Sequence, residues 1–193
     1  MNEPALRVIP YYSQESETTM YIVVPQGTRD AILVDPVRLD RGVYQLLVGQ
    51  GLGVGTVLVT HPEQYMYRGL RTLEKVFEYE LISGTRGLPA PHSRVLKTEQ
   101  ELVCSGATVR AIPVLPHSRE SFVFVMESLV FTGSIIHAGT LGETENAFAE
   151  ALLVATVKDF LFPLRSDTLV LPSVGPPTTL EAERTLSPYY HDE

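Results

Sequence analysis

Short apolar runs separated by turn-forming residues dominate the chain, and helical periodicity is confined to a few places. MYIVV (Met20–Val24) and AILV (Ala31–Val34) predict two strands joined by the turn QGTRD. Val54–Val59 is a nearly continuous β-branched and apolar run, the pattern of a strand covered on both faces. Between these strands Asp40 can cap a helix whose apolar positions are Val43, Leu46 and Leu47, ending near Gly51. Leu70, Leu73, Val76 and Phe77 share helical spacing, so VTHPEQYMYRG (Val59–Gly69) reads as a loop from a buried strand into a helix. Ligands of α/β proteins tend to sit at such junctions. Leu81-Ile82 predicts a short strand. Residues 1–18 are polar and poorly patterned apart from Val8 and Ile9, and are expected to be irregular.

The second half follows the same style. Thr108–Val114, Phe122–Met126 and Leu129–Phe131 predict strands, with Glu127-Ser128 as a tight turn. Phe148, Leu152 and Ala155 share one helical face, and Leu153, Val157 and Phe160 a second, which predicts a helix buried broadly. Leu169–Leu171 is a last buried strand, SVGPPTT a loop, and Thr178 with Glu181 a capping box for a closing helix. Two strand-rich halves with helices outside predict an α/β (α+β) chain folded as a four-layer αββα sandwich. No linker divides residues 1–193, so one domain is expected, with 188–193 as a tail.

Composition narrows the function classes. Apolar residues make up 44% and charged residues 20%, as in ordinary globular domains. Fifteen basic side chains against 23 acidic ones give a net charge of -8, which argues against nucleic-acid or anionic-membrane partners. The N-terminal stretch lacks the apolar core of a signal peptide and no run is long enough for a membrane span, so a cytoplasmic location is expected. Cys104 is the single cysteine. It excludes an internal disulfide and reads as a small core or turn residue.

Several segments in order carry a resemblance: MYIVV, ILVDP, VLVTH, LVFTGS, HAGTLG and LPSVGPPTTLEAERTLSPYY. Together they resemble the metallo-β-lactamase fold superfamily over about Met20–Tyr190, and most of all its glyoxalase II and persulfide dioxygenase branch. The resemblance implies the four-layer fold. It also implies where metal ligands would stand. The family loop T-H-x-H-x-D-H matches at Thr60 and His61, but Glu63 takes the second histidine position, Tyr65 the aspartate and Met66 the last histidine. His117 in LPHS matches the histidine of the family's P-G-H-T motif. Ser134 replaces the bridging aspartate of F-T-G-D, and Val174 the histidine of G-H-G. Asp35 is implied to orient the cleft by hydrogen bonding, and His137 can approach the same cleft.

Those replacements exclude a binuclear centre. Valine cannot ligate, neutral serine and tyrosine are poor zinc ligands, and a thioether prefers soft copper. The expectation is a chain with no catalytic residue and no cofactor, a pseudoenzyme that binds a small molecule or a protein and pairs as a homodimer. An alternative stays open. His61, Glu63 and His117 form a legitimate set for one zinc or iron, which would make the chain a metal-dependent hydrolase or a thiol oxygenase relative. In the first reading Tyr65 and Met66 only fill the space of the second metal, Tyr67 and Arg68 lie at the surface, and His92 and His191 are solvated.

Overall fold

The computed structural model describes residues 5–114, 118 and 120–190. The N-terminal half builds a six-stranded sheet from β1 (Leu6–Ser13), β2 (Thr18–Pro25), β3 (Asp30–Val34), β4 (Gly53–Val59), β5 (Glu80–Ser83) and β6 (His92–Val95), hydrogen-bonded in that order. Strands β3, β4 and β5 run parallel, so each link needs a crossover. Helices α1 (Arg41–Gly49) and α2 (Gln64–Leu73) supply them. Asp40 caps α1 as its sequence predicts, accepting from the Val43 amide at 2.9 Å.

The second half repeats the plan. It contains β7 (Gln100–Cys104), β8 (Ala107–Pro113), β9 (Phe122–Met126), β10 (Leu129–Gly133), a small hairpin β11 (Ile136–His137) and β12 (Thr140–Leu141), α3 (Ala147–Leu161), β13 (Leu169–Pro172), β14 (Thr178–Thr179) and α4 (Leu180–Leu186). The second sheet has the order β14-β13-β10-β9-β8-β7. Its one parallel pair, β10 with β13, is bridged by α3.

Among the described residues, the buried apolar side chains fall into three interfaces, to which alternation along the strands assigns them. Tyr21, Val23, Ile32, Val34 and Leu58 meet Phe122, Phe124 and Phe131 between the sheets. Their neighbours Met20, Ile22, Leu33, Val57 and Val59 face α1 and α2. Val123, Val125 and Val130 face Leu153, Val157 and Leu161 of α3. Period-two alternation on strands covered by helices outside and by a second sheet inside yields four layers. That is the expected αββα sandwich.

Four local expectations change. Leu6–Ser13 is a strand, not irregular, and pairs with β2 from Leu6↔Pro25 to Ser13↔Thr18. It is an edge strand, which tolerates Pro10, and its mostly one-sided burial gives a weak pattern. Helix α3 buries a single face. Phe148 is 78% and Leu152 48% exposed, because only the Leu153 side meets the sheet. Helix α4 is capped by Thr179 rather than Thr178, through a 3.2 Å bond from the Ala182 amide. Within the expected tail, Pro188 is exposed but Tyr190 is packed, edge-to-face with Phe162 at 5.3 Å. His191 lies outside the described residues. His92 is in β6 and exposed. Cys104 is buried in the inter-sheet core, where burial pushes its thiol up to about 11.

Candidate functional site

The ends of β3, β4, β10 and β13 lead into the loops that carry Asp35, His61, Ser134 and Val174. Parallel strands bring such loops to one edge of the fold, where α/β proteins hold ligands. Asp35 is the tie between them. It sits in the left-handed region (φ 51) and is 1% exposed. Its carboxylate accepts from the Thr60 amide and the Thr60 hydroxyl, both at 2.8 Å, and from the Ser173 hydroxyl. Burial raises the pKa of Asp35, and those three donors with nearby His61 pull it back only in part. Its expected orienting role takes this concrete form: one carboxylate fastens the loops after β4 and β13. Gly133 packs so closely on the Thr60 side chain, at φ 60, that no other residue fits there.

His61 is held firmly. Its Nδ1 lies 3.2 Å from the Ser118 hydroxyl and 3.2 Å from the Ser121 hydroxyl, which are themselves 2.7 Å apart. Its Nε2 faces Glu63, 4.0 Å from Oε1. Sequence reasoning missed both serines. Ser118 follows the residue matched to the histidine of P-G-H-T, which is a usable signal, whereas Ser121 carries none. His117 lies outside the described residues.

The structure changes the reading of the segment after His61. It is not a loop up to Gly69: α2 begins at Gln64, with Glu63 as an N-cap that makes no side-chain capping bond. Tyr65 and Met66 therefore belong to its first turn. Met66 points into the core beneath the helix and is 1% exposed. Tyr65 is largely buried, and that burial, reinforced by the Asp35 charge, raises its phenol well above the ordinary range. Gly69 makes this docking possible, since a Cβ there would stand 2.5 Å from the Val37 carbonyl oxygen.

Two spaces result. The inner one, bounded by Thr60, Met66, Tyr65, Ser134 and Val174, has a volume of about 10 Å³, room for one water at most. The outer one is an open cleft of about 530 Å³ whose walls include His61, Glu63, Ser118, Ser134, His137 and Val174. His137 sits on β11 with Nδ1 buried and, among the described residues, without a hydrogen-bond partner, backed by Gly175. A ligating histidine almost always donates its second N–H. His137 lacks that support, whereas His61 has it from the serines.

The donor set decides what could be held. For two metals the residues do not fit: beyond His61 and Glu63, which it shares with the outer cleft, the inner space is walled by Thr60, Tyr65, Met66, Ser134 and Val174, and its volume is about 10 Å³. For one metal, His61 Nε2 and Glu63 converge, and a third donor is needed. Among the described residues no three His, Cys, Asp or Glu side chains form a metal-sized group.

No family model matches the chain. A protein of Streptococcus pyogenes serotype M6 described as a probable metallo-hydrolase is 30% identical over 106 residues, a match to 52% of this chain that spans only 45% of that relative's length. Among solved structures, ETHE1 from Myxococcus xanthus superposes with a TM-score of 0.82 at 21% identity, over 94% of this chain and 83% of that one. The BLEG-1 B3 metallo-β-lactamase superposes with a TM-score of 0.81 at 20% identity, over 97% of this chain and all of that one (100%).

Proposed function

We propose that this chain, whose fold is that of the metallo-β-lactamases, has exchanged the metal centre of that fold for a ligand pocket and acts by binding a small molecule rather than by hydrolysis. One observation carries the reading. The compartment walled by Tyr65 and Met66 is reduced to about 10 Å³, while the cleft beside it is open at about 530 Å³. The retained groups match a binding role. The hydroxyls of Ser118 and Ser121 fix one nitrogen of His61, and its other nitrogen, Ser134 and His137 present donors and acceptors to the cleft.

The test is elemental analysis of untagged protein purified without chelator, together with thioester and lactone turnover after metal loading. The expected result is far less than one equivalent of transition metal and no turnover above the metal in buffer. A second reading rests on the 4.0 Å approach of Glu63 to His61 Nε2: a single zinc or iron held by His61, Glu63 and His117. About one equivalent of metal, lost in both His61→Ala and His117→Ala while the chain stays folded, would select it. An ion there would supply a water that ionises near neutral pH, and His61 would hold its ligating orientation through the serines.

A further inference from the structure

We propose that the groove between the β1–β2 turn and the start of α2 is an oxyanion site that takes a carboxylate or phosphate group of the ligand bound in the neighbouring cleft. The inference rests on the reading of that cleft as a ligand pocket and names the class of ligand: a small acid. The groove has a volume of about 370 Å³ and includes Ser13, Glu15, Ser16, Arg38, Glu63 and Arg68 in its walls. In a chain of net charge -8, two guanidinium groups from different elements converge on one hollow. Arg38 comes from the loop after β3, and Arg68 from α2.

The charges around them leave room for a ligand's own. Glu15 meets Arg38 at 3.4 Å in a single contact, with side chains 57% and 61% exposed. Such a pair is worth little and is readily exchanged for a bound anion. Glu63 also borders the groove, but its carboxylate turns toward His61 at 4.0 Å. Arg68 makes no ion pair within 4.0 Å among the described residues, although Glu15 and Glu63 border the same groove. Guanidinium forks suit planar carboxylates and phosphates better than an ammonium does. The hydroxyls of Ser13 and Ser16 add neutral donors at the same wall.

Continuity with the cleft gives the groove its purpose. Glu63 borders both spaces, and Tyr65 lies between the groove and the filled inner compartment. A ligand whose polar head lies against His61 and Ser134 can pass Glu63 and place its acidic end between Arg38 and Arg68. Affinity for the acid would fall with salt, because both arginines are solvent-exposed.

Calorimetric titration of the full chain at low ionic strength, with inorganic phosphate and separately with succinate, tests this. The expected result is saturable binding of at least one probe, weakened at least about tenfold in Arg68→Gln and in Arg38→Gln and unchanged in Arg165→Gln, which lies outside the groove. Phosphate alone binding identifies a phosphorylated ligand, and succinate alone a carboxylic acid. Saturation by neither probe, or equal binding in all variants, overturns the assignment. Metal content and thioester turnover are read on the same samples. Metal-free, inactive protein without anion binding would overturn the groove and keep the cleft reading, whereas metal-loaded, active protein that still binds the probes through Arg68 would do the reverse.

Discussion

The inner compartment behind His61 and the outer cleft in front of it share His61, Glu63, Ser134 and Val174 as common walls, yet they have opposite character. The inner one lies where α2 meets the buried ends of the first sheet. A side chain placed there that does not ligate an ion becomes core, and Met66 has done so, joining Val59, Leu70 and Leu73. The outer one is walled by loops and the short β11–β12 hairpin, so polar side chains there keep their solvent. The contrast teaches that one compartment can be packed as core while the cleft beside it stays open, because different layers hold the two.

The largest expected effect is at Met66. Met66→Ala should cost about 2–5 kcal/mol in urea unfolding, the usual range for emptying a fully buried site. A cost near zero would mean that the compartment is not packed. Asp35→Asn should cost about 1–3 kcal/mol, since the neutral amide leaves a single acceptor oxygen for three buried donors. Its pH dependence has a definite sign. Burial holds the Asp35 pKa above its ordinary 3.8, so the folded chain favours the protonated form. That contribution is complete below 3.8 and is lost as pH rises through the folded-state value. The advantage of wild type over Asp35→Asn should therefore shrink from acid toward neutral pH in paired urea titrations. An advantage that grows instead would mean that the hydrogen bonds outweigh desolvation.

On the cleft side the effects on stability are smaller. His61→Ala should cost about 1 kcal/mol, because Ser118 and Ser121 still bond one another, and it should weaken the cleft ligand far more than it weakens the fold. Glu63→Gln, at a side chain 48% exposed, should change unfolding by no more than about 0.5 kcal/mol. If Glu63→Gln proved as costly as Met66→Ala, the distinction between packed compartment and solvated cleft would fail.

Much of this was legible in the chain. The alternation in MYIVV, AILV and FVFVM predicts strands with two buried faces, and Asp40 marks the start of α1 by its own chemistry. That Tyr65, Met66, Ser134 and Val174 stand at the family's ligand positions is an expectation from the resemblance alone. Other features were not legible, for reasons that differ. The edge strand β1 buries mainly one side and carries Pro10, so its pattern is faint. The apolar face of Phe148 and Leu152 looks like core, but periodicity cannot say which of two apolar faces meets a sheet. The early start of α2 was hidden because the family motif reads as a loop and Glu63 makes no capping bond.

The sequence by itself determined the layers, since these follow from local residue types: apolar alternation for the sheets and helical spacing for what covers them. Only the tertiary structure decided how the space behind His61 is filled. Whether Met66 fills it, whether His61 keeps its anchor on Ser121 across 60 positions of chain, and whether Arg38 and Arg68 face one hollow depend on how separate loops meet. Such meetings are set by strand register and by close approaches such as Gly69 to Val37 and Gly133 to Thr60, contacts between residues far apart in the chain that no local pattern records.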